Sequence, residues 1–153
     1  MAEWRQGDYL ITTDPARVDL GVVHGFLRDC YWAKGIPLDV ARRSIEHALN
    51  FSLWHELGAG PEARQVGFAR VITDYATFAY LGDVFVLEAH RGLGLSKWLM
   101  RVIVEHPELQ GFRRWVLLTR DGHGLYSQFG FTPLAAPERY MERWDPDLYR
   151  RGT

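Results

Sequence analysis

The segment Val84–Met100 constrains the fold of this 153-residue chain more than any other. It predicts an apolar β-strand, a turn that contains Gly92 and Gly94, and then an amphipathic helix. The first turn of such a helix has free backbone N–H groups and the positive end of the helix dipole. Because glycine has no Cβ, the phosphates of a ligand can approach the main chain closely there. The segment therefore predicts an anion-binding site for a phosphorylated cofactor.

Two familiar phosphate-binding motifs do not fit these residues. A P-loop needs a lysine followed by Ser or Thr after its last glycine, whereas this chain has Ser96-Lys97 at a different spacing. The dinucleotide fingerprint G-x-G-x-x-G needs a third glycine where this chain has Lys97. An ordinary strand-to-helix turn remains as the alternative to a cofactor site.

The letters Arg91-x-x-Gly94-x-Ser96 resemble the Arg/Gln-x-x-Gly-x-Gly/Ala motif of the GNAT superfamily of N-acetyltransferases. At the spacing that the family shows, Leu125-Tyr-Ser-Gln-Phe-Gly-Phe131 is similar to its Leu-Tyr-x-x-x-Gly-Phe segment. Ser96 departs from the Gly or Ala that the family prefers. The second motif favours cofactor binding over an ordinary turn.

The resemblance implies acetyl-CoA as the cofactor. Its diphosphate is expected on the loop residues Arg91, Gly92, Leu93, Gly94, Leu95, Ser96 and Lys97. Its pantetheine arm is expected to hydrogen-bond the backbone of the preceding strand at Phe85, Val86 and Leu87. Packing in a buried strand explains these three side chains equally well, since the implied contact is made by the main chain.

Length and composition indicate one globular domain over residues 1–153. The formal net charge is −1, which argues against general nucleic-acid binding, because that needs an excess of Lys and Arg. No stretch approaches the ~20 apolar residues of a membrane span, and the N-terminus has no signal-like apolar run. We therefore expect a cytoplasmic protein without a membrane or nucleic-acid partner.

Cysteine and histidine patterns indicate neither a disulfide nor a metal. Cys30 is the single cysteine, so an intramolecular disulfide and a multi-cysteine metal site are excluded. It lies in a helical apolar pattern, which favours a buried, inert thiol. The six histidines show no H-E-x-x-H or comparable spacing, so no metal is expected.

Periodicity and turn residues predict a mixed α/β sheet covered by helices, in the order β-α-α-β-β-β-α-β-α-β-β. The helices are expected after Asp14-Pro15 with an apolar stripe at Val18, Val22, Phe26 and Cys30, at 38–49, from Leu95 to just before Pro107, and at 124–129. The strands are expected at 9–13, 51–57, 66–73, 80–87, 114–119, 131–134 and 140–144, with a turn at 58–61. This order matches the GNAT-like acyl-CoA N-acyltransferase fold, in which the cofactor lies in a wedge where central strands splay apart.

The resemblance places Tyr126 at the position of the family's usual general acid, where a phenol can protonate the departing thiolate. The alternative is a tyrosine that anchors its short helix to the core. His123 lies close by in sequence and could relay protons, although a capping or solvent-facing histidine is favoured.

The general base is expected to be a carboxylate. Asp83 and Glu88 bracket the cofactor strand, and Asp74 lies in the adjoining loop. Strand alternation puts Asp83 on the same face as Phe85 and Glu88 on the other, unless a bulge intervenes, as it commonly does in GNAT enzymes. We expect Asp83 first, while an ordinary surface carboxylate remains the alternative for each of the three.

Aromatic residues near these carboxylates predict an acceptor site. They could hold a small cationic amine by cation–π and carboxylate contacts, or serve only as core. The candidate acceptor residues are Tyr31, Trp32, Asp74, Tyr75 and Phe78.

The sequence thus predicts an N-acetyltransferase that moves an acetyl group from acetyl-CoA to a primary amine of a small molecule, by direct attack in a ternary complex. A noncatalytic acyl-CoA-binding sensor and an enzyme for protein lysines or N-termini are the alternatives. The resemblance also suggests a homodimer through terminal strands, with 140–144 as the edge.

Overall fold

The computed structural model describes residues 1–56 and 62–151, so the predicted turn 58–61 and Leu57 lie outside the described residues. It contains one six-stranded sheet in the order β1-β2-β3-β4-β5-β6, in which only β5 and β6 run parallel. The strands are β1 Glu3–Gln6, β2 Tyr9–Thr12, β3 Leu49–His55, β4 Arg64–Thr73, β5 Phe78–Val86 and β6 Arg114–Leu117. The α-helices are α1 Leu20–Leu27, α2 Leu38–Glu46, α3 Leu95–Glu105, α4 His123–Tyr126 and α5 Leu148–Arg151. The predicted mixed α/β class is confirmed.

β1 is a strand that the sequence analysis does not predict. It pairs with β2 through Gln6 and Tyr9, so that Gly7 and Asp8 form a two-residue hairpin loop. Gly7 has φ 57, which such tight loops require. The Gly7-Asp8 pair is a sequence signal for such a hairpin. The charged residues of β1 make that segment unlike a strand, so the hairpin was not predicted.

Two aspartates divide the first helical region. Asp14 accepts a hydrogen bond from the N–H of Ala16 at 2.9 Å and begins a 3₁₀ helix, Pro15–Arg17. α1 begins only after Asp19, whose carboxylate accepts from the N–H of Val22 at 3.2 Å. The expectation of one continuous helix is therefore wrong, and the fully buried residues of α1 are Val23 and Leu27 rather than the predicted stripe.

The central strands match their predicted positions with shifted ends. α2 ends at Glu46, three residues before the predicted end, because Leu49 already begins β3. β4 and β5 each begin two residues earlier than expected. α3 ends at Glu105, before Pro107, as predicted.

Both faces of the sheet are covered. Ala69 of β4 packs in a cluster with Leu99 of α3, whereas the adjacent Phe68 packs in a second cluster with Val23 of α1 and Ala41 of α2. Neighbouring residues of a strand point to opposite faces, so α3 covers one side and α1 with α2 the other.

The two closing strands predicted at 131–134 and 140–144 are wrong. Neither segment pairs with a strand among residues 1–56 and 62–151, and Pro137–Arg139 forms a 3₁₀ helix between them. Pro133 and Pro137 have no backbone N–H to donate to a ladder, which disfavours strand pairing here. The sheet therefore ends at β6.

Within the described part of the chain, no helix is long and apolar enough to cross a membrane. The same residues contain no group of three or more His, Cys, Asp or Glu side chains arranged to hold a metal ion.

Candidate active site

A wedge opens between β5 and β6. The two strands pair only from Phe78 and Arg114 to Leu81 and Leu117. β5 then continues to Val86, while β6 stops, so the last part of β5 has no strand on that side in the described structure. Main-chain groups of β5 are left available for a ligand there.

Backbone alternation decides which of these groups face the wedge. The N–H of Leu87 donates to the carbonyl of Val66 at 2.7 Å and therefore points toward β4. Successive residues of a strand direct their N–H groups to opposite edges, so the N–H of Val86 points into the wedge. Val86 thus offers the main-chain donor at the end of β5.

The predicted anion loop follows directly. Gly92 and Gly94 have φ values of 81° and 76°, which side chains with a Cβ rarely adopt. α3 starts at Leu95 after Gly94, which provides no side-chain cap, so the first N–H groups of the helix are free of side-chain partners. Arg91 donates from Nε to the carbonyl of Val86 at 2.9 Å and ties the loop to the wedge.

A β-bulge interrupts β5 just before the wedge residues. Phe68 and Arg70 of β4 pair with Phe85 and Gly82, so β5 has one extra residue between these pairs. Asp83, inside the bulge, has φ 53, an unusual value for a residue with a side chain. Such a conformation costs energy and persists only where neighbours hold it.

Those neighbours are Trp32 and Arg70. Asp83 accepts one hydrogen bond from Trp32 Nε1 and another from Arg70 Nε, each at 2.8 Å. The Asp83 and Arg70 side chains are only 10% and 16% exposed, so this ion pair is largely shielded from solvent. The carboxylate that the sequence predicts as the base is therefore engaged on both oxygens.

A continuous series of aromatic rings leads away from the wedge. The ring of Phe85 stacks on Phe26 at 4.0 Å, Phe26 lies 5.9 Å from Trp32, and Trp32 lies 5.2 Å from Tyr31. Tyr31 and Trp32 remain about half exposed. The series thus offers an apolar surface beside Asp83.

Tyr31 connects the loop after α1 to the loop after β6. Its hydroxyl accepts a hydrogen bond from the N–H of Arg120 at 3.0 Å. The Arg120 guanidinium also lies over the Tyr31 ring, 4.0 Å from its centre. This contact joins the loop that carries Tyr31 to the loop that follows β6.

Tyr126 lies in α4, with its ring edge-on to Phe131 at 6.2 Å. Burial raises the pKa of the Tyr126 phenol to about 12, and the nearby Tyr31 and Asp121 act in the same direction. The phenol therefore stays protonated at neutral pH and can donate a hydrogen bond.

Three predicted acceptor residues lie elsewhere. Asp74, Tyr75 and Phe78 are at the hairpin between β4 and β5, and Phe78 is about 16 Å along β5 from Asp83 at the usual rise per residue. Asp74 accepts from the N–H and hydroxyl of Thr77, at 2.8 and 2.6 Å, and these bonds lower its pKa. The structure thus separates this hairpin from Tyr31, Trp32 and Asp83.

Glu88 begins the 3₁₀ helix Glu88–His90, where its side chain is exposed. Its carboxylate has no hydrogen-bond or ion-pair partner in the part of the chain that the structure describes. The structure therefore places it beside the anion loop rather than beside Asp83.

Three residues that contact the candidate residues in the structure were not singled out from the sequence: Phe26, Arg70 and Arg120. Arg70 is a charge within the apolar run Val66–Val71, which is the one signal that could have drawn attention to it. Phe26 was assigned only to a helix stripe, and Arg120 has no local signal, because its role depends on Tyr31.

Comparisons with known proteins agree with this geometry. The pattern of the acetyltransferase (GNAT) domain family matches residues 53–133. A provisionally named acetyltransferase of Gibberella zeae is 34% identical, in an alignment of 142 positions that covers 82% of this chain and 79% of that protein.

Solved structures have the same fold. A provisionally named GNAT-family acetyltransferase from Xanthomonas campestris pv. campestris superimposes with a TM-score of 0.85 at 51% identity, covering 92% of this chain and 96% of the other. A provisionally named acetyltransferase from Clostridium acetobutylicum, solved with acetyl-CoA, has a TM-score of 0.61 at 14% identity, covering 88% and 94%. The second likeness concerns the fold alone.

Proposed function

The chain belongs to the GNAT acetyltransferase family, and on that premise we propose that it transfers an acetyl group from acetyl-CoA to a primary amine of a small molecule. The proposed route is direct attack in a ternary complex. One observation carries the proposal: the wedge beside β5, the N–H of Val86 that points into it, and the glycine loop at the start of α3 lie next to one another.

These residues fit acetyl-CoA. The loop 91–97 would hold the diphosphate, through the backbone N–H groups at the start of α3 and the Arg91 guanidinium. The main chain at 85–87 would hold the pantetheine arm, with the N–H of Val86 as the donor that the wedge exposes. When bound, acetyl-CoA supplies the activated thioester.

Tyr126 is proposed to assist departure of the thiolate by donating a hydrogen bond. Its pKa of about 12 keeps the proton on the phenol. Complete transfer to a thiolate whose conjugate acid has a pKa of ~8.5 would be uphill by about 3 to 4 pKa units. Stabilisation through the hydrogen bond, rather than full protonation in advance, is therefore the role that suits this environment.

The proposed base is a carboxylate, with Asp83 ahead of Glu88. Asp83 lies beside the aromatic series, although Trp32 and Arg70 each occupy one of its oxygens. A carboxylate has about four acceptor positions, so it can still accept a hydrogen bond from an amine or a water. Asp83 thus keeps room for such a contact beside the half-exposed ring of Trp32, whereas Glu88 lies in the 3₁₀ helix before the glycine loop.

Cys30 supports the direct route over an acyl-enzyme. Its thiol donates to the carbonyl of Leu27 at 3.1 Å, and burial raises its pKa. The thiolate is the nucleophilic form, so this environment disfavours attack by Cys30.

The first test is thermal unfolding with acetyl-CoA, CoA, NAD and ATP as separate ligands. A ligand that binds only the folded protein adds about 2.7 kcal/mol of stability at 100 times its Kd. We expect the midpoint to rise with acetyl-CoA and CoA, and the rise to be smaller in Arg91→Ala, which loses the guanidinium at the loop. Arg101→Ala, on the exposed side of α3, is the matched control and should respond like the wild type.

The alternatives correspond to distinct results. A shift without release of CoA thiol with any amine would identify an acyl-CoA-binding sensor. Turnover only with polypeptides would identify a protein acetyltransferase. A preference for NAD or ATP, or no shift with either CoA species, would contradict the proposal.

A further inference from the structure

Three side chains from separate strands and turns meet next to the anion loop. Tyr9 of β2 forms a hydrogen bond of 2.8 Å between its hydroxyl and His90 Nδ1, in the 3₁₀ helix Glu88–His90. The ring of Tyr9 stacks on His55 of β3 at 4.7 Å. His55 and His90 lie 5.1 Å apart, which closes the cluster.

We propose that Tyr9 is a positioning residue for the cofactor: it fixes His90 and thereby the entry into the diphosphate loop 91–97. The inference rests on the proposed function of that loop. It concerns the affinity for the diphosphate part of acetyl-CoA and not the chemistry at the thioester.

The need for such a residue follows from how the loop is attached. After the loop, the N–H of Trp98 bonds to the carbonyl of Gly94 in the first turn of α3. Before it, Arg91 bonds through Nε to Val86, and the backbone N–H of His90 bonds to Leu87. These bonds are local in sequence, whereas the Tyr9–His90 bond joins the loop entry to β2, three strands away from β5 in the sheet.

The Tyr9–His90 bond is important because the loop that follows it contains two glycines, Gly92 and Gly94. A Cβ built on Gly92 or on Gly94 would meet no atom within 4 Å, so packing does not restrain these two positions. Glycine loses more conformational freedom on ordering than any other residue. Fixing His90 beforehand reduces the ordering that a bound diphosphate would have to impose.

The hydrogen bond can form with either neutral tautomer of His90. Burial lowers the pKa of His90, and the neighbouring His55 acts in the same direction, which favours the neutral imidazole. With the proton on Nε2, Nδ1 accepts from the Tyr9 hydroxyl, and with the proton on Nδ1, the hydroxyl accepts. Stacking on His55 holds the Tyr9 ring in the position that either arrangement needs.

The test is Tyr9→Phe, which removes the hydroxyl and keeps the ring that stacks on His55. Two ligands are titrated by calorimetry: acetyl-CoA and S-acetyl-pantetheine, which lacks the nucleotide diphosphate. We expect the Kd of acetyl-CoA to rise about three- to tenfold, the range of one ordinary hydrogen bond. The Kd of S-acetyl-pantetheine should stay within twofold of the wild type.

Two further variants make the comparison specific. Tyr140→Phe removes a hydroxyl whose ring lies against Arg114, at the start of β6, and should leave both constants unchanged. His90→Leu removes the other partner of the Tyr9 bond. The double variant with Tyr9→Phe should bind no more weakly than His90→Leu alone, because both changes break the same bond.

Each other result overturns the inference. Unchanged acetyl-CoA affinity in Tyr9→Phe, or equal weakening of both ligands, would show that the hydroxyl does not act through the diphosphate loop. Failure of the wild type to bind acetyl-CoA would overturn the proposed function and this inference with it. Binding by the wild type with no effect of Tyr9→Phe would overturn the inference alone.

Discussion

Asp83 keeps its unusual backbone because groups from other elements hold its side chain. Its φ of 53 would be costly in an exposed loop, but Trp32 and Arg70 each donate to the carboxylate at 2.8 Å. Removing Arg70 would leave the shielded carboxylate without its ion-pair partner. The two contacts thus hold the bulge, and the one to Trp32 also keeps that ring beside Asp83.

Tyr126→Phe gives a prediction at this scale. The variant keeps the ring beside Phe131 and loses the phenol. We expect kcat to fall about 10²-fold, the typical effect of removing one hydrogen-bond donor to a developing negative charge, while the Kd of acetyl-CoA stays unchanged. Release of CoA thiol with an active amine measures the first quantity, and calorimetry measures the second.

The dependence of wild-type activity on pH gives a second check on the role of Tyr126. With a pKa of about 12, Tyr126 remains protonated up to about pH 10, so activity of the wild type should show no decline from its ionisation in that range. An unchanged kcat in Tyr126→Phe would show that the phenol is only an anchor for α4.

Among the elements, β4 lies between β3 and β5 and pairs with both along most of its length. A Cβ on Gly67 would lie 2.8 Å from Leu53 Cδ2 and 2.9 Å from the carbonyl of Phe85. The absence of a side chain therefore lets the three strands approach each other next to the wedge. Gly25 in α1 differs, since a Cβ there would meet no atom within 4 Å.

These two glycines give a matched prediction. Gly67→Ala should reduce the free energy of unfolding by about 1–3 kcal/mol, because the added methyl overpacks the strands. Gly25→Ala should increase it by about 0.5–1 kcal/mol, since alanine favours a helix interior. Urea denaturation measures both changes. Equal effects of the same sign would contradict the packing seen around β4.

At the scale of the whole molecule, one buried side chain of the core, His106, can be titrated. His106 follows α3, is 5% exposed, and lies 5.6 Å from Phe51 and 5.8 Å from Trp4. Its Nδ1 accepts from the N–H of Glu108 at 3.1 Å. Burial lowers the pKa of His106, although Glu108 acts in the opposite direction.

The free energy of unfolding should therefore depend on pH. A histidine with a lowered pKa in the folded state binds fewer protons than in the unfolded state, so the free energy of unfolding falls as pH drops below about 6.5. In His106→Asn, the amide oxygen can still accept from Glu108 without titrating. We expect urea denaturation from pH 7 to pH 5 to show a smaller loss of stability in the variant. Parallel losses would assign the effect to other groups, such as His90.

Features that depend on neighbouring residues in the chain were predictable. The glycine loop, α3, its end before Pro107 and the strands β2 to β6 follow from local patterns, and the sequence resemblance indicated the family. Errors arose where the local pattern was ambiguous. The charged residues of β1 made it unlike a strand. The segments 131–134 and 140–144 have strand-like letters but no pairing strand within residues 1–56 and 62–151.

The class of fold, the glycine loop before α3 and the helical position of Tyr126 could be predicted from the letters, because each depends on residues close together in the chain. The bonds of Asp83 to Trp32 and Arg70, and those of Asp74 within its own turn, are visible only in the folded molecule. The same is true of the bond between Tyr9 and His90. Such contacts join residues that the sheet and its helices bring together, and no local pattern encodes the distance between them.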